Sequence, residues 1–199
     1  MCLLFETIRL VNGIPQNLGY HQLRLNKAMK YFFEGNQPID LLRLIQVPPE
    51  CTQGVFKCRV TYGRQVSKID FEAYTPKVIT SLKLVDDNSI SYPHKFTDRN
   101  TLNALREKRG HCDEILIVKN GLITDTSYSN IVFSDGLRWI TPSNPLLQGT
   151  MRSFLLHQNL ISEADIRPVD LHRYSSARLI NAMLPLETGN DIQTTNIVY

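Results

Sequence analysis

The sequence predicts an α+β protein in two parts, a small mixed unit over residues 1–76 and a larger, strand-rich unit over 77–199. Three observations point there. Within the first 76 residues the apolar pattern switches from two-residue alternation to helical spacing and back; hairpin turns crowd the stretch after residue 110; and Tyr74-Thr75-Pro76 interrupts the pattern between the two regions. A chain of 199 residues, 42% hydrophobic and 21% charged, holds one large core or two modest ones.

Leu3–Leu10 reads as a strand, and Asn12-Gly13 after it is a hairpin turn because both residues tolerate positive φ. YHQLRLNKAMKYFF then places Leu25, Met29 and Phe32 on one helical face, with Lys27 and Lys30 turned away. Pro38 is expected to open a second short helix, PIDLLRLIQ, which Pro48-Pro49 ends. GVFKCRVTYG and SKIDFEAY alternate as a pair of antiparallel strands with one wet face. In the second part SLKLV is a strand, and Asp98 is the expected N-cap of a helix that carries Leu102 and Leu105 and ends at Gly110. EILIV, the turn Lys119-Asn120-Gly121, a strand through NIVF, the turn Asp135-Gly136 and the strand LRWIT follow. A helix is expected from Gly149-Thr150 to His157, with strands near Ile166-Arg167-Pro168-Val169 and Arg178-Leu179-Ile180.

Composition excludes several classes. The net charge of +3 is modest: residues 1–80 carry ten Lys/Arg against six Asp/Glu, and the remainder twelve against thirteen. That excess in the first part suits a small anionic ligand, but it lacks the clustered basic runs of a nucleic-acid binder. Cys2, Cys51, Cys58 and Cys112 form no C-x-x-C pair and no zinc spacing, so they read as reduced, mostly buried thiols, and no metal is expected. MCLLFETIRL is too briefly apolar for a signal peptide, and no stretch reaches the roughly 18–20 apolar residues of a membrane span, so the protein is placed in the cytoplasm, off the membrane.

Four features carry candidate chemistry, each with a plain alternative. Lys95, between a strand and a helix, is a solvated loop lysine or a Schiff-base lysine in a sheltered site. Arg24 is a polar-face arginine or a guanidinium fork for a phosphate. Asp125 caps its turn with Thr126 and Ser127, or holds a pyridinium nitrogen protonated. Gly149-Thr150 is an ordinary helix start, or free N–H groups beside a hydroxyl that bind a phosphate dianion.

Together these segments resemble the fold-type IV pyridoxal phosphate enzymes, the class of branched-chain and D-amino acid aminotransferases and of aminodeoxychorismate lyases, with the lyases the nearest match. LFETIRLVNG followed by YHQLRL is similar to the family's start, where an arginine three residues after a histidine binds the cofactor phosphate; here that is Arg24 after His21. HKFTDRNTL resembles the H-K-x-x-x-R stretch whose lysine links to the cofactor aldehyde, which points to Lys95. DEILIVKNGLITDTSYSNIVF resembles the signature holding the ring-nitrogen carboxylate and a cofactor-shell asparagine, Asp125 and Asn130. PLLQGTMR is similar to the phosphate cup at a helix start, Gly149, Thr150 and the Met151 amide, and LINAMLP to the lyases' N-A-L stretch.

The resemblance implies a two-domain fold, a small α/β domain and a larger barrel-like one with the cofactor cleft between them, in a homodimer holding pyridoxal 5′-phosphate. It implies an enzyme that converts 4-amino-4-deoxychorismate to 4-aminobenzoate and pyruvate in folate precursor synthesis. Lys95 is then the general base and Asp125 its ring partner. Arg59, on the strand KCRVTYG, and Asn181, in the NAM stretch, are the candidates for the substrate carboxylates, with a rim arginine on a wet strand face the equal alternative for Arg59. A class IV aminotransferase acting on a branched-chain or D-amino acid would use the same residues, and a non-catalytic relative would keep the fold alone. Two departures stand out. Asp125 occupies a position where the family carries glutamate, and the chain begins almost at the FETIR strand, so part of the substrate wall is missing or comes from a partner subunit.

Overall fold

The computed structural model describes residues 3–199, and the chain divides into two units: residues up to Pro76 together with His94–Asp98, and Lys77–Pro93 together with Arg99–Tyr199. In the first unit, strand β1 (Leu4–Val11) turns through Asn12-Gly13 into the short β2 (Ile14–Pro15), and helix α1 (Leu18–Phe32) follows. Asn12 and Gly13 both have positive φ, 48° and 79°, as a type I′ turn demands. A one-turn helix α2 (Leu41–Leu44) precedes the antiparallel pair β3 (Val55–Tyr62) and β4 (Val66–Ala73), and the sheet order is β2-β1-β3-β4.

Alternation along β1 sends Leu4, Ile8 and Leu10 into a core shared with Leu25, Ala28 and Met29 of α1. The register pairs Thr7 with Arg59, Arg9 with Lys57, and Arg59 with Asp70, so Phe5, Thr7, Arg9, Lys57 and Arg59 occupy the opposite face. His94–Asp98 belongs to this unit because it runs beside β1: the Phe5 N–H donates to the Lys95 carbonyl (3.0 Å) and the Thr97 N–H to the Leu3 carbonyl (2.9 Å). The second helix is shorter than PIDLLRLIQ. Asp40, and not Pro38, sets its start, with a side chain that accepts from the N–H groups of Leu42 and Arg43.

The second unit contains β5 (Leu82–Asp86), α3 (Asn100–Arg106), β6 (Glu114–Lys119), β7 (Leu122–Thr126), β8 (Asn130–Ser134), β9 (Trp139–Pro142), α4 (Thr150–His157), β10 (Ile161–Ala164), β11 (Ser176–Ile180), β12 (Ile192–Gln193) and β13 (Ile197–Val198). Two sheets form, ordered β10-β9-β8-β11-β12 and β13-β5-β6-β7. Side chains of both, among them Leu82, Leu116, Val118, Ile131, Phe133 and Leu179, fill one core. The hairpins β6–β7 and β8–β9 are antiparallel as their turns dictate, but β5–β6, β5–β13 and β9–β10 are parallel. The helices α3 and α4 provide two of the crossovers that such pairs need.

Three expectations fail locally. The strand expected to run through NIVF breaks at Ser127–Ser129 into β7 and β8. The strand expected near Ile166–Val169 is instead an extended approach to a 3-10 turn, Pro168–Arg173; Pro168 offers no N–H to a ladder and the Asp170 carboxylate accepts from the Arg167 N–H at 3.0 Å. Arg99, without a side-chain cap bond, occupies the N-cap of α3 in place of Asp98. Cys51 and Cys58 are buried free thiols, Cys112 is half-buried, and Cys2 lies outside the described residues. Among the described residues no helix is long and apolar enough to cross a membrane.

Leu25 is fully enclosed between α1 and the sheet. Leu25→Ala is expected to destabilise the protein by about 2–5 kcal/mol, read from the denaturant midpoint.

Candidate active site

In the first unit a single carboxylate organises the candidate residues. Glu6 shares the core-facing phase of β1 with Leu4 and Ile8 and is wholly buried. It accepts from His21 Nδ1 at 2.6 Å and from Arg24 Nε at 2.9 Å and Nη2 at 2.5 Å. Burial alone would raise its pKa, but the Arg24 charge and the hydrogen bonds from His21 and Arg24 override this and hold the carboxyl at about 2. Burial also pushes His21 below its ordinary value, against the pull of Glu6 and with the Arg24 and Lys95 charges adding to it. With Glu6 ionised, the proton in the short contact resides on His21 Nδ1, which donates it. Arg24, three residues on from His21, therefore has one edge of its fork fixed by Glu6.

Lys95 is half-buried, and its ammonium lies over the Phe5 ring, 4.7 Å from the centroid. The Arg59 guanidinium lies over the same ring at 4.0 Å. Phe5 is 4% exposed, although it points away from the core that α1 covers, and both cations lie over its ring. His94, next to Lys95, packs on Phe32 and Phe96 with ring centroids 4.8 and 5.8 Å away.

In the second unit the residues of the D-T-S-Y-S-N stretch and of the α4 start meet one another. Asp125 is buried at the end of β7 and accepts from Asn130 Nδ2 at 2.7 Å and from the Leu147 N–H at 3.0 Å. Burial pushes its pKa up to about 6, because those bonds and the more distant Arg152 charge offset only part of the lost hydration. No described residue forms an ion pair with it. Asn130 also donates to the Leu147 carbonyl at 3.0 Å, and its side chain sits against Gly149. A Cβ at Gly149 would lie 1.9 Å from Asn130 Oδ1, so close approach and not an unusual φ requires glycine there. Gly149 is the N-cap of α4 and makes no side-chain cap bond; Thr150 and Met151 open the helix, and its first turn contains no acid. Asn181 is committed locally: Nδ2 donates to Ser129 Oγ at 2.7 Å, and Oδ1 accepts from the Met183 and Leu184 N–H groups.

Sequence reasoning missed Glu6 and Arg99. Glu6 had a signal, a lone acid in phase with the apolar side of an alternating strand. Arg99, the last residue of HKFTDR, donates through Nη2 to the Ser127 carbonyl at 2.7 Å and so fixes the loop beyond Asp125. Nothing local to its sequence indicates that partner.

A family model, amino-transferase class IV, matches residues 3–186. An uncharacterized protein of Haemophilus influenzae is 36% identical over 183 residues, covering 90% of this chain and 97% of its own length. A crystal structure from Haemophilus somnus 129PT, named provisionally as a 4-amino-4-deoxychorismate lyase, is 38% identical with a TM-score of 0.88, covering 94% of this chain and 98% of its own. A hypothetical aminotransferase from Mycobacterium tuberculosis, solved with pyridoxal phosphate bound, shares the fold at 16% identity and a TM-score of 0.73, over 96% of this chain and 80% of its own. The chain belongs to the amino-transferase class IV family and is an enzyme of that family, whose members depend on pyridoxal phosphate.

The residues in place fit that group. A buried carboxylate without a cationic partner suits a protonated ring nitrogen, and the acid-free start of α4 suits a phosphate.

Two outcomes follow from this geometry. The folded pKa of Glu6 lies below its ordinary 4.5, so its contribution to stability is fully present above pH 4.5 and is lost as pH falls towards about 2. Glu6→Gln should remove that component of the pH–stability curve and cost roughly 3 kcal/mol at pH 7, since Arg24 loses its acid. Gly149→Ala should cost roughly 2 kcal/mol or more by displacing Asn130 from Asp125, and the same variant should lose cofactor absorbance on dialysis faster than the parent protein.

Proposed function

We propose that this chain is a pyridoxal phosphate-dependent lyase that converts 4-amino-4-deoxychorismate to 4-aminobenzoate and pyruvate, a step towards folate. The observation that carries the cofactor reading is Asp125, buried, ionisable and without an ion pair among the described residues. The 38%-identical structure with the provisional lyase name favours this reaction over transamination.

In this reading Lys95 would hold the cofactor through Nζ, and its amine would be the base that takes the proton from the substrate carbon bearing nitrogen. When bound, pyridoxal phosphate supplies the sink for the electron pair left behind. Asp125 keeps the ring nitrogen protonated, and Asn130 holds Asp125. Arg24, Gly149, Thr150 and the Met151 amide hold the phosphate, and the Glu6 carboxylate aims Arg24. Arg59 receives a substrate carboxylate, whereas Asn181 acts by fixing Ser129. The protein is assigned to the cytoplasm as a homodimer on its likeness to the lyases.

Adding pyridoxal phosphate should produce a visible absorbance band, and borohydride should fix the label on Lys95 by peptide mapping. Lys95→Ala should lose both while keeping its melting temperature. Pyruvate release from 4-amino-4-deoxychorismate without an added keto acid supports the lyase; turnover that requires a keto acid makes the chain a transaminase instead.

A further inference from the structure

The face of the first sheet that α1 leaves open has more positive charge than its own acids neutralise. Among the strand residues of that face four cations, Arg9, Lys57, Arg59 and Lys68, accompany two acids, Asp70 and Glu72. Both acids are engaged by the lysines: Lys57 pairs with Glu72, and Lys68 with Asp70 at 2.7 Å. Arg59 faces Asp70 across the ladder but makes no ion pair with it, and among the described residues neither Arg9 nor Arg59 has a hydrogen bond or ion pair from its side chain. Arg9 Nε is buried without an acceptor. A guanidinium donor enclosed in this way lacks the partner that a buried charged group requires.

The two arginines are diagonal neighbours on adjacent strands, since Arg9 pairs with Lys57 and Arg59 with Thr7. Their Cα atoms are thus about 7–8 Å apart, close enough for both forks to reach one small ligand. Arg59 is already seated over Phe5, the ring that also receives the Lys95 ammonium.

From this we infer that Arg9 and Arg59 together select a substrate with two carboxylates: Arg59 binds the one nearer Lys95, and Arg9 binds the second. The inference rests on the reading of Lys95 as the reacting lysine, and it makes Arg9 the specificity-determining residue, one that a monocarboxylate would leave unused. Phe5 stiffens Arg59 by stacking, so its fork is in place before an anion arrives.

The test is calorimetric titration of the pyridoxal phosphate-treated protein with chorismate, which has two carboxylates and no reacting amine, and with 4-hydroxybenzoate, which has one. The parent protein should favour chorismate by at least ten-fold. Arg9→Gln should cut chorismate affinity roughly ten- to hundred-fold, the loss of one charged hydrogen-bonding partner, while 4-hydroxybenzoate affinity, melting temperature and the cofactor band stay as they were. Arg59→Gln should weaken both ligands. If both variants keep the parental preference, or the parent protein shows none while Lys95 still takes the borohydride label, the inference is wrong and the lysine assignment stands. If the preference collapses in Arg9→Gln but Lys95 takes no label, the dicarboxylate face stands and the cofactor assignment fails.

Discussion

Glu6 is the constraint on which the first unit depends. An ionised carboxylate with no exposure is tolerated only when its lone pairs are matched, and here both matches come from one helix, His21 and Arg24 of α1. The contact therefore fixes how α1 lies along β1. Because side chains alternate along a strand, fixing Glu6 inward also fixes Phe5 and Thr7 outward, and the register brings Arg59 to the same face. The residue before Glu6 donates its backbone N–H to Lys95. Arg24, Lys95 and Arg59, far apart in sequence, are thus all placed by three consecutive positions of a single strand.

Asp125 presents the opposite case. Glu6 finds its cation inside the chain and is held at about 2, whereas Asp125 has only neutral donors in contact and is pushed up to about 6. The difference lies in the partners, since both acids are buried. The loop around Asp125 is nonetheless held firmly: Arg99 grips the Ser127 carbonyl, Asn181 the Ser129 hydroxyl, and Thr126 Oγ1 donates to the Ser129 carbonyl at 3.0 Å. A buried carboxylate on such a frame, with only neutral donors in contact, suits a cationic ligand, and the proposed function uses it so.

The sequence made short-range order legible. Asn12-Gly13 and Asn120-Gly121 announce hairpins because each pair adopts positive φ at little cost, and the helical stripe of α1 is written in Leu25 and Met29. Pairings between distant segments were not legible. That β5 runs parallel to β6 and β13 depends on crossovers and on a core filled from both sheets, which no window of residues records. The candidate site divides in the same way. Lys95, Arg24 and Asp125 are candidates through motif likeness, but their supports were not legible, because Glu6 lies 18 positions from Arg24, and Arg99 lies 28 from Ser127. Gly149 was legible as a helix start, yet its reason for being glycine is a side chain 19 positions earlier, Asn130.

The aspartate at 125, one methylene shorter than the glutamate common in the family, is matched by its surroundings. Its two carboxylate oxygens are taken separately, Oδ1 by Asn130 and Oδ2 by the Leu147 N–H. The same Asn130 is confined on its other side by Gly149, where not even a methyl group fits. A longer acid would push its oxygens past both donors into a frame that cannot yield, leaving a buried carboxylate worse satisfied than before. The short side chain, the asparagine and the glycine form one unit in which each requires the others. Within the proposed function the aspartate is therefore a coherent alternative to the glutamate that the resemblance implies at this position.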